Sequence, residues 1–368
     1  MLSSLIFIVW DPVAEVIPGW SIPRWYGLLF ALGFLISQQL LIYIFKKEGK
    51  SEKDVELLTI YIVVATIVGA RLGHVLFYGA SHYLSNPIEI LKVWEGGLAS
   101  HGAAIGILAA LYLYVRKKKN QSYLWVVDRL VIAVAITGCL IRFGNFMNSE
   151  ILGIPTNSNF GVVFAREIEE GLENTFPEIE NVEAIKGSGQ EAAESFVPLG
   201  LEITFPGKDL QENQVRQLLE SNIKDALVRY SSRQEPNLFE PANEPLKYDL
   251  SRKNSVYMAK IQTNGIARHP GQLYESIYCF LLFVLLFVIW HKKKDKTPEG
   301  LIFGLFLVIL WTLRFIDEFF KENQEAFEED LPLNMGQILS IPLVLIGIYM
   351  LFRIRFRQNK VGNKIDKV

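Results

Sequence analysis

The sequence has very few cysteines, and this limits the kinds of site that it can build. Two occur among its 368 residues, Cys139 and Cys279, and both lie within or at the edge of apolar stretches. A small buried thiol is common in such surroundings, whereas a disulfide framework or a cysteine-rich metal centre needs more cysteines at regular spacings. We therefore predict neither a disulfide nor a metal site.

The chain also has little net charge. Its 37 lysines and arginines are opposed by 39 aspartates and glutamates, which leaves a formal charge of −2. The basic residues are gathered in short clusters beside apolar stretches, a pattern typical of the cytoplasmic loops of membrane proteins and of binding to anionic lipids. These clusters do not indicate a nucleic-acid partner.

Long apolar runs are what the sequence does contain. Half of all residues are hydrophobic, and they are concentrated in seven stretches that approach the roughly 20 residues a helix needs to cross a bilayer core about 30 Å thick. The stretches are 25–45, 57–78, 97–115, 124–143, 272–290, 300–320 and 335–353. The sequence thus predicts an all-α polytopic membrane protein with seven transmembrane helices, embedded in the bilayer.

The basic clusters alternate between the two ends of these predicted helices. They follow the first, third, fifth and seventh helices, whereas the loops after the second and the sixth carry one lysine each, Lys92 and Lys321. Because lysine and arginine are retained on the cytoplasmic side, we predict an N-terminus outside and a C-terminus in the cytoplasm.

A soluble segment separates the fourth and fifth predicted helices. Residues 166–260 hold 18 acidic and 11 basic residues, a net charge of −7. Residue alternation and β-branched content predict strands, and amphipathic periodicity predicts a helix; the strands are 160–164, 200–205 and 255–263, and the helix is 213–230. We predict a small extra-cytoplasmic α/β head domain, with mobile loops at 183–194 and 234–245.

The predicted organisation has five parts. The run from Leu5 to Trp10 is apolar but too short to cross a membrane, so we expect it to be interfacial. The parts are an extra-cytoplasmic or interfacial N-terminal segment at 1–24, helices one to four with their site loops at 25–160, the head domain at 161–263, helices five to seven at 264–353, and a basic cytoplasmic tail at 354–368.

Several ionisable residues interrupt the apolar stretches, where each charge is costly and points to function or pairing. Arg142 and Arg268, with Glu150 and Glu275, fall near the outer ends of the fourth and fifth predicted helices, and His101 enters the third from the same side. Two planar guanidinium groups suit a phosphodiester, which each can bind through two donors. We predict one outward-facing site for a phospholipid headgroup.

Other readings of the same residues remain open. The two arginines alternatively pair with Glu150 and Glu275 and join helices, and His101 alternatively bonds a backbone carbonyl at a helix bend. Arg71 is either structural or a second phosphate ligand. The cluster at 314–318 reads as an interfacial ion cluster, and the other four histidines are left out of the predicted catalytic set.

Six short strings carry a specific resemblance. They occur in order along the chain, as Arg24–Gly27, His101–Gly102, Arg142–Gly153 (RFGNFMNSEILG), Arg268–Glu275 (RHPGQLYE), Arg314–Glu318 and Met335–Ser340. In sequence and order they resemble the motifs of prolipoprotein diacylglyceryl transferases. Ile141 and Ala103 stand where that family usually has glycine, and the head is longer than is usual there.

The resemblance implies a bacterial cytoplasmic (inner) membrane enzyme that needs no metal or soluble cofactor. Its substrates are phosphatidylglycerol and prolipoprotein precursors with a lipobox cysteine, whose thiol receives the diacylglyceryl group in thioether linkage while glycerol phosphate leaves. The implied catalytic residues are Arg142 and Arg268, which hold the phosphate, with His101 as the base. The implied substrate-binding residues are Tyr26, Arg71, Asn145, Asn148, Glu150, Gly153, Gln272, Tyr274 and Glu275.

Two other functional classes compete with this one. A transporter or channel for an anionic metabolite also places arginines in broken helices, but it predicts paired repeats, and we find no internal repeat. A membrane scaffold with an acidic head leaves the intramembrane histidine, arginine and asparagine residues without a role.

Overall fold

The computed structural model describes residues 6–17, 20, 22–93, 96–97, 99–118, 120–157, 160–187, 195–206, 210–322, 328 and 331–365, with the backbone alone for Ser100 and 357–365. Lys119 of a predicted basic cluster and 188–194 of a predicted loop lie outside these ranges. The chain forms two compact units. One consists of 1–29, 141–276 and 316–337, and we call it the sheet unit. The other consists of 30–140, 277–315 and 338–368, and we call it the helical unit.

Long helices make up most of the chain. The described α-helices are α1 Trp25–Lys47, α2 Glu52–Tyr78, α3 Ala80–Ser85, α4 Ser100–Lys117, α5 Tyr123–Met147, α6 Arg166–Thr175, α7 Glu212–Gln217, α8 Lys224–Ser231, α9 Gly271–Lys293, α10 Leu301–Asp317 and α11 Met335–Ile365. Short 3₁₀ turns follow as Pro87–Leu91, Lys294–Lys296 and Glu318–Phe320, and a π-helical turn, Leu218–Ile223, joins α7 to α8.

Five of these helices are long and apolar enough to cross a membrane: Trp25–Lys47, Glu52–Tyr78, Tyr123–Met147, Gly271–Lys296 and Met335–Phe356. The prediction of a membrane protein with several apolar helices is therefore confirmed. The remaining two predicted spans fall on α4, with 18 residues, and α10, with 17. Both are shorter than the roughly 20 residues of a typical span, so the count of seven stays a prediction.

The sheet unit is built on an antiparallel sheet of five strands. Its strands are β3 Asn181–Lys186, β4 Phe196–Phe205, β5 Leu238–Phe239, β6 Lys247–Lys253 and β7 Val256–Ile266. The order is β3-β4-β7-β5, and β6 pairs with the other half of β7. Buried and more exposed residues alternate along β7, because one face of a strand points into the core. The strand predicted at 200–205 falls within β4. The strand predicted at 255–263 coincides with β7 from Val256 onward, and Ser255 lies in the turn before it.

A second, smaller sheet belongs to the same unit. Strand β1, Ile6–Trp10, pairs in parallel with β2, Phe160–Phe164, so part of the run expected to be interfacial is a strand. β3 also takes in residues 183–186, which corrects the start of the loop predicted at 183–194. Helix α6 buries Ile168 and Leu172 in the apolar core shared with β3, β4 and β7.

In the helical unit, α2 and α4 cross at very short range. A Cβ atom added to Gly69 would lie 2.5 Å from the carbonyl oxygen of Gly102, and one added to Gly106 would lie 2.6 Å from that of Ala65. Small residues permit such close approach of membrane helices. The crossing fixes the start of α4, where His101 lies next to Gly102.

One buried carboxylate gathers several helix ends of the same unit. Glu48, at the end of α1, accepts hydrogen bonds from Arg129 Nε at 3.1 Å, from Trp125 Nε1 at 2.8 Å and from Trp290 Nε1 at 2.5 Å. The side chains of Glu48 and Arg129 are 1% and 0% exposed. Neighbouring Asp128 accepts from the backbone amides of Gly300 and Phe303, which are donors that the start of α10 leaves free.

Candidate active site

The last turn of α5 carries the first group of predicted site residues. The Arg142 guanidinium forms an ion pair with Glu275 of α9, whose side chain is 3% exposed. Asn145, one turn later, accepts a long hydrogen bond of 3.5 Å from Arg142 Nη1. Arg142 is thus oriented by a buried carboxylate while its own side chain remains 23% exposed.

Glu150 is held by amides rather than by an arginine. Asn145 Nδ2 donates to Glu150 Oε2 at 3.0 Å, and Asn148 Nδ2 donates to Glu150 Oε1 at 3.0 Å. Gln272 of α9 donates to the Glu150 backbone oxygen. The reading that pairs Glu150 directly with an arginine is therefore replaced by one in which Glu150 reaches Arg142 through Asn145.

Two glycines of the string Arg142–Gly153 allow close backbone contacts. A Cβ atom added to Gly153 would lie 2.1 Å from the backbone oxygen of His269 and 2.7 Å from that of Phe320. One added to Gly144 would lie 3.2 Å from the Cα atom of Tyr26. A side chain at Gly153 cannot fit without moving the backbone, so this glycine brings three chain segments together.

Arg268 is almost fully buried, with a relative exposure of 1%. Its Nη1 donates to the Gly153 oxygen at 2.8 Å and to Glu322 Oε1 at 2.7 Å, and its Nη2 donates to the Pro236 oxygen at 2.8 Å. Glu322 is thus an ion-pair partner of Arg268. Among the described residues the Nε group of Arg268 has no partner.

Lys321 belongs to this cluster, although its position in a loop gave no signal beyond its charge. Its ammonium group forms ion pairs with Glu275, with Asp317 at 3.0 Å and with Glu318 at 3.4 Å, and its side chain is 1% exposed. Glu318 also accepts from Asn334 Nδ2 at 3.2 Å. Glu275 therefore links two cations, Arg142 and Lys321, and the predicted ion cluster at 314–318 extends to the site.

Tyr274 pairs with a histidine that the motifs contain but that we left out of the catalytic set. The Tyr274 hydroxyl lies 3.2 Å from His269 Nδ1, and the His269 ring packs against Phe320 at a centroid distance of 5.1 Å. Burial lowers the pKa of His269 below its usual value, which favours the neutral imidazole.

Two predicted site residues, His101 and Arg71, lie in the helical unit. The His101 ring packs edge-on against Phe77 at 5.1 Å between centroids. Arg71 donates to four backbone oxygens, those of Glu89, Ile90, Gly96 and Gly97, and its guanidinium lies over the Tyr83 ring at 4.9 Å. Most donors of Arg71 thus hold the loop that precedes α4.

The sheet unit therefore brings together ten of the predicted site residues. They are Tyr26, Arg142, Asn145, Asn148, Glu150, Gly153, Arg268, Gln272, Tyr274 and Glu275. Two arginines and a lysine lie among five carboxylates, which are Glu150, Glu275, Asp317, Glu318 and Glu322. These ion pairs and hydrogen bonds hold the three cations in place. Such cations can neutralise a phosphate and stabilise it as a leaving group.

Comparison with known proteins gives one consistent result. The family model of the prolipoprotein diacylglyceryl transferases matches residues 12–353. A protein of Tolumonas auensis named phosphatidylglycerol--prolipoprotein diacylglyceryl transferase is 36% identical over 89% of this chain and 90% of its own length. Proteins of the same name from Chloroherpeton thalassium and Porphyromonas gingivalis are 33% and 35% identical, over 96% and 98% of both chains. The chain belongs to the prolipoprotein diacylglyceryl transferase family.

Proposed function

We propose that this protein transfers the diacylglyceryl group of phosphatidylglycerol to the lipobox cysteine of prolipoproteins. The cysteine thiolate attacks the glycerol carbon that bears the phosphate, and a carbon–sulfur bond forms as the carbon–oxygen bond breaks. The electron pair of the broken bond leaves with glycerol phosphate, and the thiol proton passes to a base. This is the first step in the maturation of bacterial lipoproteins.

The main support for this proposal is Arg142, a cation in the last turns of α5 that Glu275 holds in place. Arg142 is partly exposed, and Glu275 orients it from a buried position. A guanidinium group binds a phosphodiester through two parallel donors, and a charge already in place needs no reorganisation as the leaving group departs. Arg142 is accordingly the residue that binds the phosphate and stabilises its departure.

In this proposal the phosphate site also includes Arg268 and the loop that follows α5, residues 148–153. Arg268 contributes positive charge from behind the loop, and its Nε group, without a partner among the described residues, is the donor left for substrate. Substrate contacts fall to the remaining predicted residues of the sheet unit, which are Tyr26, Asn145, Asn148, Glu150, Gly153, Gln272, Tyr274 and Glu275. Arg71 contributes by holding the backbone of Glu89, Ile90, Gly96 and Gly97, which precedes α4.

His101 is the proposed base. Only the thiolate is a good nucleophile, and imidazole is the side chain whose ordinary pKa suits proton removal near neutrality. His101 is next to Gly102, at the close crossing of α2 and α4, and this crossing fixes the backbone position from which the imidazole ring extends.

We further propose the arrangement in the membrane. Seven helices cross the bacterial cytoplasmic membrane, with α4 and α10 as the two short spans. The N-terminus and the head, with its net charge of −7 over 166–260, are outside, and the basic C-terminal tail is in the cytoplasm. The five-part division at 24, 160, 263 and 353 follows from this topology.

The direct test is a two-product assay. The full-length protein, purified in detergent, receives phosphatidylglycerol and a lipobox peptide, and we follow peptide mass and released glycerol phosphate. We expect a mass gain of one diacylglyceryl group, matched by glycerol phosphate, and loss of both with Arg142→Ala. Arg216→Ala, whose side chain is exposed and paired with Glu212 in the head, is the matched control and retains activity.

One result would overturn the proposal. If well-folded wild-type protein modified no peptide across several phospholipids, the six motifs would serve lipid binding without transfer. Proton removal by His101 is tested separately, since His101→Gln should change the dependence of rate on pH, and an unchanged profile excludes it as the base.

A further inference from the structure

The sheet unit contains a cavity of about 540 Å³ between the head and the loop that follows α5, residues 148–153. The loop contributes Ser149, Ile151 and Leu152 to its lining, and the head contributes 233–235. The volume lies within the roughly 300–1,000 Å³ of ligand-binding pockets. We call it the head–loop cavity.

Charges in the head–loop cavity are not balanced. Glu167 pairs with Arg233, and Glu322 pairs with Arg268, which lies behind the wall. Glu235, the third carboxylate of the lining, forms no ion pair with any described residue. Burial, and then the neighbouring charges of Glu322 and Glu167, raise the pKa of Glu235, while Arg268 opposes this. Negative potential therefore concentrates at Glu235.

A neutral polar group in the same lining is also left over. The Ser149 hydroxyl oxygen is shielded from solvent and has no hydrogen-bond partner among the described residues. Buried polar atoms are normally satisfied, so this oxygen is available to a donor that enters the cavity. A basic side chain with several N–H donors therefore suits a cavity lined by both Ser149 and Glu235.

A polypeptide fits this lining better than a metal ion does. A hard divalent cation needs six or more oxygen ligands, whereas Arg233 repels it and two of the three carboxylates already have partners. Apolar Ile151 and Leu152 suit the carbon chain of a lysine or arginine side chain. The cavity wall is also connected to the proposed phosphate site, because Glu322 binds Arg268 at 2.7 Å.

We propose that the head–loop cavity binds the part of the precursor that follows the lipobox cysteine and favours a basic residue there. This inference rests on the proposed function, because the cysteine must reach the phosphate-bearing carbon. An extended chain spans about 3.3–3.6 Å per residue, so the first few residues after the cysteine are those within reach of the cavity.

The test uses three lipobox peptides that differ at the three positions after the cysteine, which are lysine, serine or glutamate. Turnover by full-length protein with phosphatidylglycerol gives KM for each peptide. We expect KM to rise from lysine to serine to glutamate by about fivefold per step, the size expected for partly exposed charge interactions. The differences in KM among the three peptides should disappear in Glu235→Gln. They should become larger in Arg233→Gln, because this change removes the cation that opposes a basic peptide.

A binding measurement separates this inference from the proposed function. The same peptides, labelled with a fluorophore, are titrated against the protein without lipid, so that preference is measured even if no transfer occurs. Glu244→Gln is the control, because Glu244 is exposed and pairs with Lys247 at 3.3 Å; it should retain activity and peptide order. Equal affinities for the three peptides in the wild type, or an unchanged order in Glu235→Gln, would overturn the inference.

Discussion

Glu275 forms an ion pair with Arg142 from a position in which its own side chain is 3% exposed. The same carboxylate binds Lys321, so Glu275 carries the charge that keeps two cations in place. Removing one partner of a buried pair is far more costly than the pair is stabilising, because it leaves uncompensated charge. Measuring both turnover and unfolding of variants in this cluster therefore distinguishes an effect on the orientation of Arg142 from an effect on the stability of the fold.

Replacing Glu275 by glutamine should reduce kcat/KM by about 100-fold, since a displacement of about 1 Å at a reacting group costs that much. The two-product assay measures the loss. Glu212→Gln is the control, because Glu212 is 56% exposed in its pair with Arg216. Wild-type turnover by well-folded Glu275→Gln protein would show that Arg142 needs no such orientation.

Replacing Lys321 by methionine should destabilise the protein by about 3–5 kcal/mol, because three carboxylates lose their shared cation. Denaturant unfolding in detergent measures the change, and Lys321→Arg, which keeps the charge, should lose much less. Adding Glu275→Gln to Lys321→Met removes one of the repelling carboxylates, so the double variant should be less destabilised than the two single losses added together. Additive losses would show that the pair is not coupled.

Replacing Glu48 by glutamine should also cost about 3–5 kcal/mol, because Arg129 is fully buried and would keep only the more distant Asp128, at 3.8 Å, as a counter-charge. Glu52→Gln is the matched control, since Glu52 is 49% exposed beside Lys46, and exposed pairs contribute about 0–1 kcal/mol. Unfolding of both variants is compared under the same conditions. Equal stability of the two would contradict the buried position of Glu48.

Gly153→Ala should abolish transfer or prevent folding, because the added methyl group meets the His269 backbone oxygen at 2.1 Å. Gly138→Ala is the matched control: its Cβ atom would lie 3.5 Å from Cys279 Sγ, an ordinary contact, and alanine gains up to about 1 kcal/mol in a helix. Yield, unfolding and turnover of both variants decide the point. Normal activity in Gly153→Ala would mean that the three segments do not meet as described.

The free energy of unfolding of the head should fall as pH rises from about 4.5 to about 7, because of one buried carboxyl group. Burial raises the pKa of Glu169 to about 7, although the Ala184 amide donates to it at 2.6 Å. An acid with a raised folded-state pKa stabilises the fold below its unfolded pKa, and this contribution is lost as pH rises through the folded value. Glu169→Gln should therefore flatten the pH dependence, measured by hydrogen exchange of β3 at several pH values. An identical slope in both proteins would exclude Glu169 as its source.

Hydropathy predicted the positions of the helices well because a bilayer imposes length and composition on each of them. Residue alternation likewise placed β2 at 160–164. It did not assign β1, although Ile6–Trp10 consists of β-branched and aromatic residues, because a short apolar run is ambiguous by itself and its partner β2 is more than 150 residues away. It missed β3, Asn181–Lys186, altogether, because the charged residues Glu183 and Lys186 made 183–194 resemble a loop.

The site shows the same limit. The motifs identified Arg142 and Glu275, but they did not indicate which cation each carboxylate binds. Arg268 pairs with Glu322, 54 positions away. Lys321 was unremarkable as a lone loop lysine, because its burial depends on Glu275, 46 positions earlier in the chain. Long-range pairing of this kind is a property of the folded chain and not of any window of sequence.

The pairing of β1 with β2 imposes an order on biosynthesis. The first strand leaves the ribosome long before its partner, and the helices from α1 to α5 are translated between them. β1 must therefore wait for β2 until α1 to α5 have been made, and the sheet unit is finished only after residues 316–337 have also been translated. A gene fragment that covers 161–263 alone lacks β1, which is the strand that pairs with β2, and it lacks the segment with Lys321. Such a fragment will therefore not reproduce this unit.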